Sequence, residues 1–553
     1  MSAGPQISTS GSSGASPLLP SLSLESLRST AGSVLSSPPS TTTVLAVGSV
    51  AIAGYCLYEQ LCFSLWRRGK NGKVLPGPNL ATPVLGGIVE MIRDPYSFWE
   101  RQRKWSFPGM SWNSMLGSFS IFVTDPAISR HVFNANSKDT LLLALHPSAK
   151  DVLGPRNIAF LTGPDHKALR KSFLALFTRR ALSVYVVKQD ALICEHLQQW
   201  VTAQGGSVQT FGTACEIRPW VQRMNAMTSQ EVFAGPYLDS PELKNKFLVA
   251  YRAMTDAFLA FPVCVPGTAV WKGYQGRLFI IKVLTKAAAQ SKARMATGLH
   301  EPECLLDFWS LQVLAEIKEA EALGVPPPFY CADEKMADSV MDFLFASQDA
   351  STASLVHTVT LMAEHPHVLD KVRAEQRSLR ADLNAPITGE VLAQMKYTKQ
   401  VVKEILRFRP PAPMVPQQAQ APFKLTEDYT APKGAMIIPS IWSACMQGYS
   451  QPEKFDPDRF SPERQEDIKH AANFMVFGHG PHYCVGKEYA MNHLATFLAR
   501  ISTSLEWSRV RSKVSDNTLY LPTIYPGDSV FSFKWQLEAA RALAPLSATN
   551  GKH

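Results

Sequence analysis

Charge is scarce at the start of this chain. Residues 1–43 hold one acidic side chain, Glu25, one basic, Arg28, and fourteen serines. Such a stretch cannot bury enough apolar surface to offset its ordering entropy. It reads as a disordered or targeting segment, and its single arginine argues against a plastid transit peptide, which is arginine-rich. Cysteine lacks pattern. The nine residues, at 56, 62, 194, 215, 264, 304, 331, 445 and 484, are odd in number and scattered without a CxxC pair. That excludes a disulfide framework and a zinc module and suits a reducing compartment. No run of Lys and Arg interleaved with aromatics occurs, so nucleic acid is not a partner. No repeat or second linker breaks residues 79–540. They are read as one catalytic domain, with a disordered tail at 541–553.

Apolar residues are plentiful, at 46% against 18% charged, enough for a large core. The net charge of +9 points to an anionic membrane or an acidic protein partner. Val44–Trp66 is apolar over a length that spans a bilayer. Tyr55, Tyr58 and Trp66 suit an interfacial belt, and Arg67, Arg68, Lys70 and Lys73 follow. The positive-inside rule then makes 44–66 a single-pass anchor with the rest of the chain cytosolic, on the endoplasmic reticulum membrane. Residues 67–78, ending in LPGP, read as a basic, stiff, proline-rich linker.

Within the body, SWNSMLGSFSIFVTD (Ser111–Asp125) predicts a hairpin turning at Gly117 and Ser118. Most of the remainder has apolar residues at helical spacing, and strand-like pieces return at Gly434–Trp442. The fold class is mainly α (α+β), a helical domain with small sheets. His357, His365 and His367 do not form a metal site, because no second ligand set at zinc spacing accompanies them, and Pro366 breaks the helix there.

One stretch carries chemistry: FGHGPHYCVG, Phe477–Gly486. A cysteine thiolate is a strong ligand for a soft metal. Glycines let backbone N–H groups approach the sulfur. An amphipathic pattern follows Gly486, and the dipole of that helix favours a deprotonated Cys484.

The stretch resembles the haem-binding loop of the cytochrome P-450 superfamily, FGxGxRxCxG, with Phe477, Gly478, Gly480, Cys484 and Gly486 in place and His482 where arginine is usual. Glu404 and Arg407 in KEILRFRPP look like the family's ExxR helix, and Pro457–Phe460 like its PxRF partner. The resemblance implies an internal ion cluster of Glu404, Arg407 and Arg459. His166 and Arg170, four apart on one helical face, resemble the helix that contacts haem propionates. The distal-helix pattern reads Ala346-Ser347-Gln348-Asp349-Ala350-Ser351. Asp349 takes the acidic position, and Ala350 stands where the family has a threonine that organises proton-delivering water. Ser351 or Thr352 is left to supply a hydroxyl, although Ser351 lies about 100° around a helix from Ala350.

GPDHKALRKSFLALFTRRAL, FLFASQDAST, FDPDRFSPER, FGHGPHYCVGKEYAMNHL and LPTIYPGD together look like the sterol C-22 desaturases. That resemblance implies the cytochrome P-450 fold and haem b with Cys484 as axial thiolate and metal ligand. It implies O2 as co-substrate, electrons from NADPH through NADPH–cytochrome P-450 reductase, and a sterol and membrane lipid as partners. Candidate pocket residues, from Leu141–Leu145, Phe343–Ala346, Met414–Val415 and Leu521–Tyr525, are Leu145, Phe345, Ala346, Met414, Val415 and Thr523. Phe261–Gly273 is a candidate for dipping into the membrane or a core loop. A sterol 14α-demethylase or isoprenoid hydroxylase of the same superfamily is the alternative, and Ala350 argues against both.

Overall fold

The computed structural model describes residues 41–106, 109–258, 260–520 and 523–537. Nearly all of segment 1–43, the tail 541–553, Leu521 and Pro522 therefore lie outside the described residues. The chain divides into two compact units between Glu59 and Gln60.

The first described helix, α1, covers Thr41–Trp66, and its portion Val44–Trp66 is long and apolar enough to cross a membrane. Val44, Leu45, Val47, Val50 and Ile52 are exposed, as suits residues that lipid covers. The larger unit begins inside this helix. Phe63 is buried, with Trp112 and Phe119 at ring distances of 6.0 and 5.5 Å. Trp66 packs edge-on to Phe119 at 5.8 Å and stays 38% exposed.

The stretch 67–78 is not a free linker. Leu75 N donates to Arg67 O at 2.8 Å, Lys70 N to Asp428 O at 2.8 Å and Trp112 N to Pro76 O at 2.9 Å. Proline does make LPGP extended, but an extended backbone keeps free hydrogen-bonding groups, and here they cover the edge of a sheet.

That edge strand is β1 (Met110–Met115), paired antiparallel with β2 (Ser118–Val123). The turn falls on Leu116 and Gly117, at φ 49° and 72°, one residue earlier than the sequence predicts. A two-residue loop with both residues left-handed matches the strands' twist. With β3 (Leu141–Leu143), β4 (Gln417–Ala419) and β5 (Met436–Pro439) the sheet has the order β1-β2-β5-β4-β3. Only β2 and β5 run parallel.

The helices that build the site are α2 (Pro126–Asn134), α3 (Gly163–Ser172), α4 (Arg179–Gln204), α5 (Arg218–Phe233), α6 (Pro241–Ala257), α7 (Ala269–Ala296), α8 (Asp333–Glu364), α9 (Lys396–Phe408) and α10 (Lys487–Ser504). Local chemistry sets their ends. Asp125 Oδ1 accepts from Ala127 N and Ile128 N at 2.7 and 2.9 Å, and Pro126 opens α2. Gly205 ends α4 in the left-handed conformation. Helix α8 has 32 residues, about 48 Å at 1.5 Å per residue. It stops at Glu364, and a new helix starts at Pro366. From Ser351 to Met362 every residue of α8 is buried. Small and apolar side chains all around its circumference make it the axis of the body, without the polar stripe of a surface helix. His357 bonds through Nε2 to Ile524 O at 3.1 Å, and His365 stacks on Phe455. Among the described residues no group of His, Cys, Asp and Glu is placed to hold a metal ion.

Candidate active site

Glycine sets the path of the cysteine loop. Gly478 and Gly480 have φ of 75° and 72°, and a Cβ on Gly480 would lie 2.6 Å from Phe133 O on α2. The loop folds back so that Cys484 N donates to Phe477 O at 2.9 Å, and α10 begins three residues later. The Cys484 side chain opens into a cavity of about 410 Å³. It is thus exposed as a side chain while protein surrounds it on the outside. Burial pushes its thiol up, and the Gly486 N–H, Arg170 and Lys487 offset only part of that. Desolvation wins, and metal coordination would remove the proton.

One end of the cavity is polar. His166 and Arg170 line it from α3, and the His482 ring stacks on His166 at 4.2 Å. Burial, then the neighbouring His166 and Arg170, lower His482 to about 4. Burial and Arg170 lower His166. Both imidazoles are neutral near pH 7, so Arg170 is the charged member. Its Nη2 donates to Tyr483 O, which ties α3 to the cysteine loop. His166 Nε2 is buried and has no hydrogen-bond partner among the described residues.

Helix α8 forms the opposite wall with Phe343, Ala346, Ser347, Ala350, Ser351 and Ser354. Asp349 is not in that wall. A single residue step turns it away, so it accepts at its carbonyl from Thr523 Oγ1 and Tyr525 OH, both at 3.4 Å. Burial raises its carboxyl to about 6.

The sequence-derived lining set divides. Ala346 and Val415 line the cavity. Leu145 is 40% exposed, and Leu143 of β3 lines the wall in its place. Phe345 packs on Phe258 at 5.0 Å, on the far side of α8. Met414 joins the cluster of Met91, Phe98 and Trp99. Thr523 reads the α8 backbone instead of the cavity. For Leu145, Phe345 and Met414 a residue one or two positions away lines the cavity, because the side a residue faces depends on packing, whereas none of the described residues 523–525 lines it. Sequence reading missed Ser347, Ser354 and Tyr489, which also line the cavity. The 3- and 4-residue helical spacing from Ala350 would have found the two serines.

Below the cysteine loop, α9 turns two charged residues inward. Glu404 receives Arg407 Nε at 2.7 Å and Nη2 at 2.8 Å, Arg459 Nε at 3.1 Å and Asp456 N at 2.9 Å. All three side chains are 0% exposed. Leu406 of the same helix lines the cavity, so the cluster fixes the floor from behind.

The haem that the resemblance implies fits these residues. A flat macrocycle with two carboxylates needs an axial ligand on one face, apolar walls and donors at one edge. Cys484 opens into the cavity, and Phe133, Phe233, Phe343 and Val476 supply walls. His166, with its unpartnered buried nitrogen, and Arg170 stand together at an edge. Gly478 and Gly486 line the cavity, and a Cβ on either would meet no protein atom within 4 Å. That leaves room for a ligand.

Residues 75–523 match the family model described as Cytochrome P450. The chain is 39% identical to Cytochrome P450 710A2 of Arabidopsis thaliana, over 87% of this chain and 94% of that one. It is 32% identical to C-22 sterol desaturase erg5 of Aspergillus fumigatus, over 85% of this chain and 90% of that one. Among solved structures, retinoic acid bound cyanobacterial CYP120A1 shares the fold, with a TM-score of 0.68 and 22% identity, over 83% of this chain and 99% of that one.

Proposed function

From the premise that this chain belongs to the cytochrome P450 family, we propose that it desaturates a sterol side chain at C-22, anchored in the endoplasmic reticulum membrane by α1, with electrons drawn from NADPH through NADPH–cytochrome P-450 reductase. The family implies a haem with a cysteine thiolate ligand; here the haem is haem b and the ligand is Cys484. The observation that carries the reading is the distal wall. It presents Ala350 where a hydroxyl is usual, over a cavity whose walls are mainly apolar, in a chain 32% identical to a C-22 sterol desaturase.

When bound, the haem supplies the iron at which dioxygen is reduced. The protein's part is binding and placement. Cys484 would ligate the iron, and Arg170, His166 and His482 would receive the carboxylates. Phe233, Phe343 and Val415 hold an alkyl side chain at near-attack distance and keep water from it, as removal of a second hydrogen in place of hydroxylation requires. In balance, the sterol loses two hydrogens, NADPH supplies two electrons, and one O2 becomes two waters. Phe261, Val263 and Val265, between α6 and α7, are exposed, which supports a membrane-facing loop that admits a lipid substrate.

The decisive experiment incubates purified enzyme and reductase with NADPH and ergosta- or sitosterol-type sterols. The expected product is lighter by two hydrogens. Products heavier by one oxygen would replace desaturation by hydroxylation.

Asp349 is a buried acid of α8 that lies next to the cavity wall and not in it. With its carboxyl at about 6, it is protonated below that pH and mostly ionised at pH 7. Asp349→Asn should remove an inflection near pH 6 from the turnover profile. The sign of the stability effect follows from linkage. The fold binds this proton more tightly than the unfolded chain does, so the stability contribution is full below the unfolded pKa and is lost as pH rises toward 6. Asp349→Asn should therefore melt above wild type at pH 8, and the difference should vanish near pH 4. Equal melting at both pH values would remove the buried carboxylate from the account.

A further inference from the structure

Five small or hydroxyl side chains of α8 line the cavity: Ala346, Ser347, Ala350, Ser351 and Ser354. Ala350 has no hydroxyl to offer. Ser351 lines the cavity, but among the described residues no hydrogen bond backs its oxygen, so nothing stands ready to return a proton to it.

Ser347, one turn earlier, is backed. Its hydroxyl donates to Leu344 O at 3.0 Å, and its oxygen lies 2.9 Å from Ser229 Oγ on α5. A hydroxyl has one proton to donate, so Ser229 is the donor in that pair. One acceptor site of Ser347 is left over. Asn225, also on α5, steadies this turn. Its Nδ2 lies within 2.9–3.1 Å of Ser347 O, Gln348 O and Thr352 Oγ1.

Close to Ser229 lies a group of buried polar atoms with no hydrogen-bond partner among the described residues: both amide atoms of Gln189 and the Tyr489 hydroxyl. Tyr489 lines the cavity, and its hydroxyl faces the side chains of Gln189 and Ser229 without a well-formed bond to either. Each such atom costs about 1–3 kcal/mol if left dry. Several of them within one polar recess mark a place for ordered water, which needs two to four polar partners.

We propose that Ser347, re-protonated by Ser229 through water held between Tyr489 and Gln189, delivers the protons that oxygen reduction consumes in this cavity. This rests on the oxidase reading above. Reducing O2 by two electrons takes up two protons before the O–O bond can part with water. Ser347 passes one to cavity water and takes one from Ser229, which is refilled from the recess water and that in turn from bulk water, so each hydroxyl ends the cycle neutral and both protons come from solvent. The route lies behind the distal helix, on the side of α5 and α10, and needs no hydroxyl at position 350. Ser347 is the catalytic residue of this route, and Ser229, which does not line the cavity, is a positioning residue.

The test uses the full-length holoenzyme with reductase, NADPH and the sterol that wild type accepts. Variants are S347A, S229A, S347T and S351A. Alkene formed and hydrogen peroxide released are measured per NADPH. The double variant S229A/S347A should lose alkene per NADPH by about 100-fold, the low end of what a positioned proton donor contributes, with the electrons appearing as peroxide. S347T should restore coupling. Added hydrogen peroxide, which brings both protons with it, should rescue the double variant, whereas damage to pocket shape would not be rescued. A high-resolution crystal structure of the wild-type holoenzyme should show ordered water within hydrogen-bond distance of Ser229, Tyr489 or Gln189.

Wild-type coupling in both S229A and S347A, with uncoupling in S351A, would overturn the proposal. So would a dry recess in which Tyr489 bonds directly to Gln189. If wild type hydroxylates instead of desaturating, the function proposed above fails, while the coupling comparison still decides the proton route. If wild type consumes no O2 with any sterol, both fail.

Discussion

Cys484→Ala is expected to abolish sterol desaturation and the thiolate-type absorption band of the reduced carbon monoxide complex. No other cysteine can take over. Cys445 is the nearest in the chain, but it is fully buried, its thiol is pushed up to about 12 by burial, and it does not line the cavity. The thiolate is also the electron donor on which O–O cleavage depends, so a variant that still holds haem through a weaker contact should bind without turning over. The loop itself should survive. Its shape comes from Cys484 N to Phe477 O, from Gly478 N to Met475 O at 2.8 Å and from the glycine conformations, none of which uses the sulfur. Haem-free wild type and haem-free Cys484→Ala should therefore melt within about 1 kcal/mol of each other, as substitutions that break no packing or buried network do. Retained turnover, or an unchanged carbon monoxide band, would end the assignment of the axial ligand.

Glu404→Ala should be the most damaging change to the fold. It leaves the Arg407 guanidinium, 0% exposed, without its carboxylate, and leaves Arg459, also 0% exposed, with Glu466 alone. Losing one partner of a buried ionic group costs about 3–5 kcal/mol, against a total stability of about 5–15 kcal/mol. A denaturant melt should show a loss of that size, or the protein should fail to accumulate with haem. Buried ion groups elsewhere can be exchanged for apolar residues at little cost, but not here. Arg407 also donates to Cys445 O at 3.1 Å and Pro452 O at 2.8 Å, and Arg459 to Ser450 O at 2.7 Å and Lys454 O at 2.9 Å. A triple replacement by Met and Leu would strand those carbonyls at about 1–3 kcal/mol each. It should remain clearly less stable than wild type, and a triple variant as stable as wild type would refute this account of the cluster.

The two cases differ in how much of them was readable. The cysteine loop is one contiguous run whose glycines and local hydrogen bonds act over ten residues, so its motif carries its geometry. Glu404 and Arg407 sit three apart on one helix and read as easily as a solvated surface pair. What makes them a buried cluster is Arg459, 55 residues away in sequence from Glu404, and the carbonyls of the chain around it.

The sequence by itself determined the mainly helical class, the apolar N-terminal helix, the cysteine loop and three of the segments that border the cavity. These follow from composition, from the 3.6-residue period and from short-range backbone chemistry, all of which are local. Only the tertiary structure decided that Leu143 lines the wall instead of Leu145, and that residues 67–78 cover the edge of β1. It also decided that His166 and His482 are neutral partners, that burial outweighs the Gly486 N–H, Arg170 and Lys487 at Cys484, and that Ser347 has Ser229 behind it. Facing, desolvation and hydrogen-bond partnership are set by atoms from distant parts of the chain, and one residue of rotation about a helix or strand is enough to reverse them.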